Sequence, residues 1–208
     1  MRKNITVSGD SYTAIGFDSW QPIPTDLNPM GVPYPGATWI DGANWAGYLT
    51  TQYNRSKLLT FDYAIGGNTV QGVRNQIMGD FLSTRGAGHK PHYAPWTASD
   101  SLFGGVTACF VGINDLNTHA PINPTINELF DLYETLYRVG ARNFLFVSVP
   151  PIDRAPFGTD PTLGTRVDLW NTRLRRAAEA FRARRSDASV FFYDAWCGVT
   201  TRLFITPT

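Results

Sequence analysis

Apolar and polar positions follow two different periods along the chain. Short and nearly continuous apolar segments predict five β-strands, at residues 4–8, 58–64, 106–111, 143–149 and 189–193. Apolar positions three and four residues apart predict helices between them, at residues 44–53, near 70–81, at 124–139 and at about 166–184. Strands that alternate with amphipathic helices are typical of a parallel sheet covered on both faces.

The pattern therefore predicts an α/β fold. We expect one domain over residues 1–208, built as a three-layer α/β/α, flavodoxin-like sandwich around a five-stranded parallel sheet of order 2-1-3-4-5. In such sheets ligands bind beyond the carboxyl ends of the strands, where the strand order reverses. The residues that follow each strand are therefore the first place to look for chemistry.

Composition narrows the classes of function. The 208 residues are 43% hydrophobic and 17% charged, which is typical of a globular domain. The net charge of +1 gives no reason to expect a nucleic acid or an anionic membrane as partner. No apolar run approaches the length of a membrane span, and two cysteines do not make a disulfide framework.

Small and polar residues follow three of the predicted strands. The first strand runs into GDS (residues 9–11), the second into GGN (66–68) and the third into GIND (112–115). A serine oxygen can attack a carbonyl carbon, while a backbone N–H at a glycine and an asparagine amide can stabilise the oxyanion that forms. Together these three turns predict nucleophilic attack on a carbonyl group.

These residues resemble the SGNH (GDSL) hydrolase superfamily, and within it the fungal-type acetylesterases of carbohydrate esterase family 16. The motifs GDSYT, AIGGNT and GIND occur in the family order, and the resemblance extends over residues 5–204. It implies Ser11 as nucleophile and an oxyanion hole made by the N–H groups of Ser11 and Gly67 and the amide of Asn114. Asp10 and Asp115 are expected to support the loops by hydrogen bonding. We expect no cofactor and no metal ion.

The chain departs from the resembled family at its general base. In the family a histidine of a C-terminal D-x-x-H motif has that role, whereas this chain has only His89, His92 and His119, none preceded by such an aspartate. His119 could substitute, although its place in the order argues against it. We therefore expect a fragment, an incomplete gene model or a decayed copy with impaired catalysis. The resemblance suggests an extracellular protein, although the chain carries no signal peptide.

Asp62 stands where relatives tend to have asparagine.

A long segment without regular structure follows the GDS motif, at residues 18–42. It carries Trp20, Tyr34 and Trp39 among prolines, and long loops in compact domains are often functional. These aromatic side chains have two interpretations: a platform for a sugar ring, or packing over the edge of the sheet.

The leading hypothesis is a serine esterase that removes acetyl or other short acyl groups from a small molecule or an oligosaccharide. Two alternatives stay open, an inactive carbohydrate-binding homologue and a lipid or thioester acylhydrolase, which requires a long apolar slot. The chain lacks a G-x-S-x-G motif, which argues against the α/β-hydrolase scaffold. The oligomeric state is not predicted.

Overall fold

The computed structural model describes residues 3–20, 22–83, 105–156 and 158–198. Its five strands form one parallel sheet, in the order β2-β1-β3-β4-β5. The strands are β1 (Lys3–Gly9), β2 (Leu58–Asp62), β3 (Gly105–Phe110), β4 (Asn143–Val147) and β5 (Ser189–Tyr193). The predicted strand order is confirmed, and the order reverses between β1 and β3.

Five α-helices connect the described strands: α1 (Trp45–Thr51), α2 (Val70–Asn75), α3 (Ile113–Asn117), α4 (Ile122–Arg138) and α5 (Leu163–Arg184). The single helix predicted near residues 70–81 is α2 followed by a π-helical turn, Gln76–Phe81. Helix α4 begins before Pro124, and Gly140 follows its end with a φ of 114°. That left-handed conformation favours glycine and stops the helix.

One face of the sheet is covered by α2, α4 and α5. Its core is aromatic, with fully buried side chains at Trp170, Tyr133, Phe144, Phe146 and Phe181. Phe146 stacks on Phe130 with ring centroids 4.8 Å apart. Dispersion and burial of this cluster hold the helices against the strands, so we call this side the packed face.

Helix α1 lies on the opposite side, the α1 face, where Asn44 accepts hydrogen bonds from the N–H groups of Ala46 and Gly47 as its N-cap. The apolar spacing that predicts this helix comes from Trp45, Tyr48, Leu49 and Tyr53, and only part of this stripe is covered. Trp45 and Leu49 pack against the core, whereas Tyr48 and Tyr53 are 39% and 75% exposed. Helical spacing shows which residues share a side, but not whether another element covers that side.

Candidate active site

The carboxyl ends of β1, β2 and β3 lie side by side. Gly9 is in register with Phe110, and its carbonyl accepts a hydrogen bond of 3.3 Å from the N–H of Ile65. A Cβ on Gly9 would lie 2.3 Å from the carbonyl oxygen of Phe110, so only glycine permits the close approach of β1 to β3 here. The GDS, GGN and GIND turns therefore meet at one edge of the sheet.

Ser11 stands in a single helical turn at this edge. The carbonyl of Asp10 accepts hydrogen bonds of 3.0 Å from the N–H groups of Thr13 and Ala14. The carboxylate oxygen Oδ1 of Asp10 accepts a further one from the N–H of Tyr12, also at 3.0 Å. Within the described residues, neither the N–H nor the Oγ of Ser11 has a hydrogen-bond partner. Both groups are free to act on a ligand, and the side chain is half-buried.

The GGN turn presents a second free backbone donor. Gly67 has a φ of 80°, and no atom lies within 4 Å of the position where its Cβ would be. Its N–H also lacks a partner among the described residues. Asn114 reaches the same turn from α3, since its Nδ2 donates a hydrogen bond of 2.9 Å to the carbonyl of Asn68. An amide nitrogen carries two N–H groups, so this bond leaves Asn114 with one more to donate.

Two buried carboxylates support these turns. Asp115 accepts the N–H of Val70 on both carboxylate oxygens, at 3.1 and 3.3 Å, and so ties α3 to the start of α2. Burial raises its pKa from 3.8 to about 6. Burial also raises the pKa of Asp10 to about 7, an effect that the Tyr12 N–H opposes and the charge of Asp115 increases. The Oδ2 of Asp10 has no hydrogen-bond partner among the described residues.

Asp62 is a third buried carboxylate, at the end of β2. Its Oδ1 accepts the N–H of Ala64 at 2.9 Å, while its Oδ2 has no partner in the described part of the chain. Burial raises its pKa well above 3.8. Asparagine at this position makes the same bond to Ala64 without a charge to bury, which gives a physical meaning to this departure from the resembled family.

Gln76 is a supporting residue that the sequence analysis missed. Its fully buried amide accepts the N–H of Gly9 at 2.9 Å and donates to the carbonyl of Gly9 at 2.8 Å. These two bonds hold the strand end from which Ser11 follows. The signal in the sequence is a glutamine three residues after Val73, where the apolar spacing of the helix calls for a hydrophobic side chain.

Two of the three aromatic residues of the long loop, Trp39 and Tyr34, lie in different places. Trp39 is 70% exposed, and its indole lies against Gly66 in the GGN turn. The hydroxyl of Tyr34 accepts a hydrogen bond of 3.0 Å from Gln52, the C-cap of α1. Trp20 is 66% exposed. The contacts thus bring Trp39 to the candidate site and tie Tyr34 to the far end of α1.

His119 lies in the loop after α3 and is largely exposed. Its Nδ1 contacts Arg166, and its Nε2 lies 3.8 Å from the carboxylate of Asp160. Both ring nitrogens thus face groups at or before the start of α5, and no hydrogen bond joins His119 to Ser11. His89 and His92 lie outside the described residues.

The sequence from residue 5 to residue 202 matches the family model of the GDSL-like lipase/acylhydrolases. The chain belongs to this family. The resemblance to SGNH (GDSL) hydrolases is therefore confirmed. An acetylesterase of Thermothelomyces thermophilus is 31% identical over 225 residues, which cover 97% of this chain and 73% of the relative. The names of the family and of this relative are those of esterases and acylhydrolases.

Solved structures of GDSL proteins share the fold. Axe2, an acetylxylan esterase from Geobacillus stearothermophilus, superposes with a TM-score of 0.63 at 14% identity, over 98% of this chain and 81% of that one. A lipolytic G-D-S-L protein from Veillonella parvula gives a TM-score of 0.61 at 17% identity, over 98% and 84% of the two chains. At these identities the likeness establishes the architecture, which is that of the GDSL family.

Two searches of the described residues gave a negative result. No described helix combines the length and the apolar character that a membrane span requires. In the same part of the chain, no group of three or more His, Cys, Asp or Glu side chains is arranged to bind a metal ion.

Proposed function

We propose that this GDSL protein is built to hydrolyse acetyl or other short-chain esters with Ser11 as nucleophile. The observation that carries the proposal is that three groups without a hydrogen-bond partner among the described residues stand on turns at one edge of the sheet. They are the Ser11 hydroxyl, the Gly67 N–H and the second N–H of the Asn114 amide. The Ser11 oxygen attacks the ester carbonyl carbon, and the oxyanion accepts hydrogen bonds from the N–H groups of Ser11 and Gly67 and from Asn114. The alcohol leaves, and water releases the acyl group from Ser11.

We further propose that the alcohol half of the ester is a carbohydrate. This proposal rests on the names of the similar proteins, an acetylesterase and an acetylxylan esterase, and on the exposed Trp39 beside the GGN turn.

We also propose that these 208 residues alone turn over esters poorly. A serine hydroxyl is a weak nucleophile at neutral pH until a base removes its proton. None of the three histidines has the D-x-x-H spacing, and both ring nitrogens of His119 already face Arg166 and Asp160. In a well-studied serine protease the oxyanion hole and substrate binding retain about 10³–10⁴-fold catalysis without the triad.

Hydrolysis of an acetyl ester by the purified chain and its single variants tests the proposal. We expect trace turnover that Ser11→Ala scarcely changes, and that Asn114→Ala lowers toward the uncatalysed rate because an oxyanion donor is lost. Asn117→Ala, an exposed asparagine of the same helix, is the matched control. Robust turnover abolished by Ser11→Ala contradicts impaired catalysis but supports the nucleophile, and His119→Ala then shows whether His119 is the base.

Covalent labelling separates the enzyme from an inactive binding homologue. An organophosphonate is expected to modify Ser11 slowly in the wild-type chain, because no base activates the hydroxyl. The reaction is expected to reach one label per chain, because the oxyanion hole stabilises the phosphonyl oxygen, and Ser11→Ala is expected to take up no label. A chain that binds acetylated sugars but is never labelled is a binding module, and the esterase proposal is then wrong.

One observation favours the lipid or thioester acylhydrolase as a second candidate. An apolar groove with a volume of about 640 Å³ runs along the α1 face, lined by Trp45, Tyr48, Leu49, Tyr53, Phe110, Leu145, Val147, Tyr193 and Ala195. Phe110 contacts the ring of Tyr12, one residue after Ser11, with ring centroids 5.6 Å apart. The rates of Ser11 labelling by methyl and by decyl phosphonates distinguish the two candidates. Faster labelling by the decyl reagent favours the acylhydrolase.

A further inference from the structure

Trp39 lies directly on the turn that carries the candidate oxyanion glycine. A Cβ on Gly66 would lie 2.3–2.4 Å from three atoms of the indole, among them Nε1. The indole therefore occupies the space that a side chain at residue 66 would fill. Gly67, whose N–H is the candidate donor, is the next residue, so the ring stands beside the reaction centre.

The loop that carries Trp39 is docked onto the segment after Ser11. The N–H of Ala37 donates a hydrogen bond of 2.8 Å to the carbonyl of Ile15, and a Cβ on Gly36 would lie 2.9 Å from the Cβ of Ile15. After Trp39, Asn44 donates to the carbonyls of Thr13 and Ala14, at 2.5 and 3.0 Å. The loop is thus held to that segment on both sides of Trp39.

The turn around Trp39 is also closed internally. The hydroxyl of Thr38 lies 3.0 Å from the carbonyl oxygen of Ile40 and 2.6 Å from that of Gly42. A ring whose position is fixed before the ligand arrives loses little conformational freedom on binding.

The exposed surface of Trp39 shows which half of a substrate it suits. The side chain is 70% exposed, and within the described residues its indole N–H has no hydrogen-bond partner. An acetyl group needs only a small enclosed apolar contact. An open aromatic face with a free donor at its edge instead fits a large ligand that has both C–H groups and oxygen atoms, which is the chemistry of a pyranose ring.

We propose that Trp39 is the specificity-determining residue for the alcohol half of the ester, and that it binds the apolar face of a pyranose while its Nε1–H donates to a sugar or ester oxygen. This inference rests on the proposed esterase site and assigns Trp39, rather than Tyr34, as the sugar platform.

Indole N–H signals in a ¹⁵N–¹H NMR spectrum of the full chain test the proposal. The chain has 6 tryptophans, and the signal missing from Trp39→Phe identifies Trp39. We expect a peracetylated methyl xyloside to shift this signal, and ethyl acetate at the same ester concentration to leave it in place. A signal that the xyloside does not move overturns the proposal.

The affinity of single variants for the xyloside, measured from the same NMR titration, is a second test. Trp39→Ala is expected to weaken xyloside binding about tenfold or more, which corresponds to about 1.4 kcal/mol, whereas Trp39→Phe retains most of it because an aromatic face remains. Gly66→Ala is expected to weaken binding as well, since its methyl group displaces the indole. Tyr34→Ala is the matched aromatic control, with the wild-type affinity expected because Tyr34 contacts Gln52 at the far end of α1.

Two results decide between this proposal and its rivals. Unchanged xyloside affinity in Trp39→Ala, together with faster Ser11 labelling by long-chain phosphonates, identifies Trp39 as a wall of the acyl pocket and overturns the sugar platform. A Trp39 signal that the xyloside shifts in a chain whose Ser11 is never labelled supports the platform and refutes the esterase proposal. The two proposals therefore fail in distinguishable ways.

Discussion

The two faces of the sheet are made by neighbouring residues of the same strands, yet their surroundings differ. On β4, Phe144 and Phe146 point to the packed face and are fully buried under the helices. Leu145 and Val147 point the other way and line the apolar groove. Adjacent residues that are equally apolar thus lie in a packed core and along an open groove. We infer that the packed face supplies most of the packing energy, while the α1 face is available for binding.

The α1 face also buries polar groups. On the α1 face, the hydroxyls of Thr50 and Thr60 lie 2.5 Å apart in the contact between α1 and β2. Asp62 follows two residues after Thr60 and therefore points to the same side. A carboxyl group without a full set of partners costs free energy when it is buried, so the α1 face also contains a destabilising group.

The largest expected effect is on the packed face. Phe146→Ala removes a ring that contacts Phe130, Tyr133 and Phe181, and such a cavity lowers the free energy of unfolding by about 3–5 kcal/mol. Leu145→Ala, one residue away on the α1 face, is expected to cost only about 1 kcal/mol because its side chain is only partly buried. Urea denaturation measures both values, and equal costs contradict the difference between the faces.

A smaller effect of opposite sign is expected for Asp62→Asn. The asparagine can still accept the Ala64 N–H, and it neither takes up a proton nor buries a charge on folding. We therefore expect a gain of about 1–3 kcal/mol at neutral pH, since a raised pKa costs up to about 1.4 kcal/mol per pH unit above the ordinary pKa of the carboxyl. The pKa of Asp62 is raised on folding. Its contribution to stability is therefore complete below pH 3.8 and is lost as the pH rises through the folded pKa. Thermal unfolding of the wild type and of Asp62→Asn is measured from pH 4 to pH 9. A difference in stability that does not change with pH contradicts a raised pKa of Asp62.

The last expected effect is a change in the slope of stability with pH, caused by Asp10. Its pKa rises from 3.8 to about 7 on folding, so its contribution to stability is lost between about pH 4 and pH 7, at no more than about 1.4 kcal/mol per pH unit. Asp10→Asn keeps an acceptor for the Tyr12 N–H and is expected to flatten the stability curve in this window.

Asp187→Asn serves as the control of opposite sign. The Tyr137 hydroxyl and Arg142 lower the pKa of Asp187, so its contribution is present above the ordinary pKa and is lost on acidification. If Asp10→Asn and Asp187→Asn change the dependence of stability on pH in the same direction, the pKa of Asp10 is not raised on folding.

Much of the fold could be predicted because the spacing of apolar residues differs between strands and helices and can be recognised in a single sequence. The bounds of β5 agree exactly with the prediction, and the strand order is confirmed. The π-helical turn at Gln76–Phe81 escaped prediction because its side chains keep a helix-like spacing while only the hydrogen bonds change. The exposure of Tyr48 and Tyr53 on α1 could not be predicted from spacing, because whether a neighbouring element covers them is decided by tertiary structure.

The candidate site divides in the same way. Ser11, Gly67 and Asn114 could be found because each follows directly after a strand and belongs to a motif. Gln76 makes two hydrogen bonds to Gly9 across a sequence separation of 67 residues. The spacing of residues within a short segment cannot predict such a contact. The roles of Ser11, Gly67, Asn114, Asp10 and Asp115 stay predictions, as does the single domain.

The sequence by itself determined the α/β alternation, the GDSL family and the turns that hold the candidate nucleophile and oxyanion donors, because these depend on residue type and on spacing within short segments. Tertiary structure alone decided that Trp39, and not Tyr34, stands on the GGN turn, and that Asp10 and Asp62 are buried deeply enough to raise the pKa of each carboxyl. It also decided that one face of the sheet is packed while the other bears a groove. These properties depend on which distant segments pack together. The free energy of that packing is a sum over many contacts between segments, and no single stretch of sequence contains them.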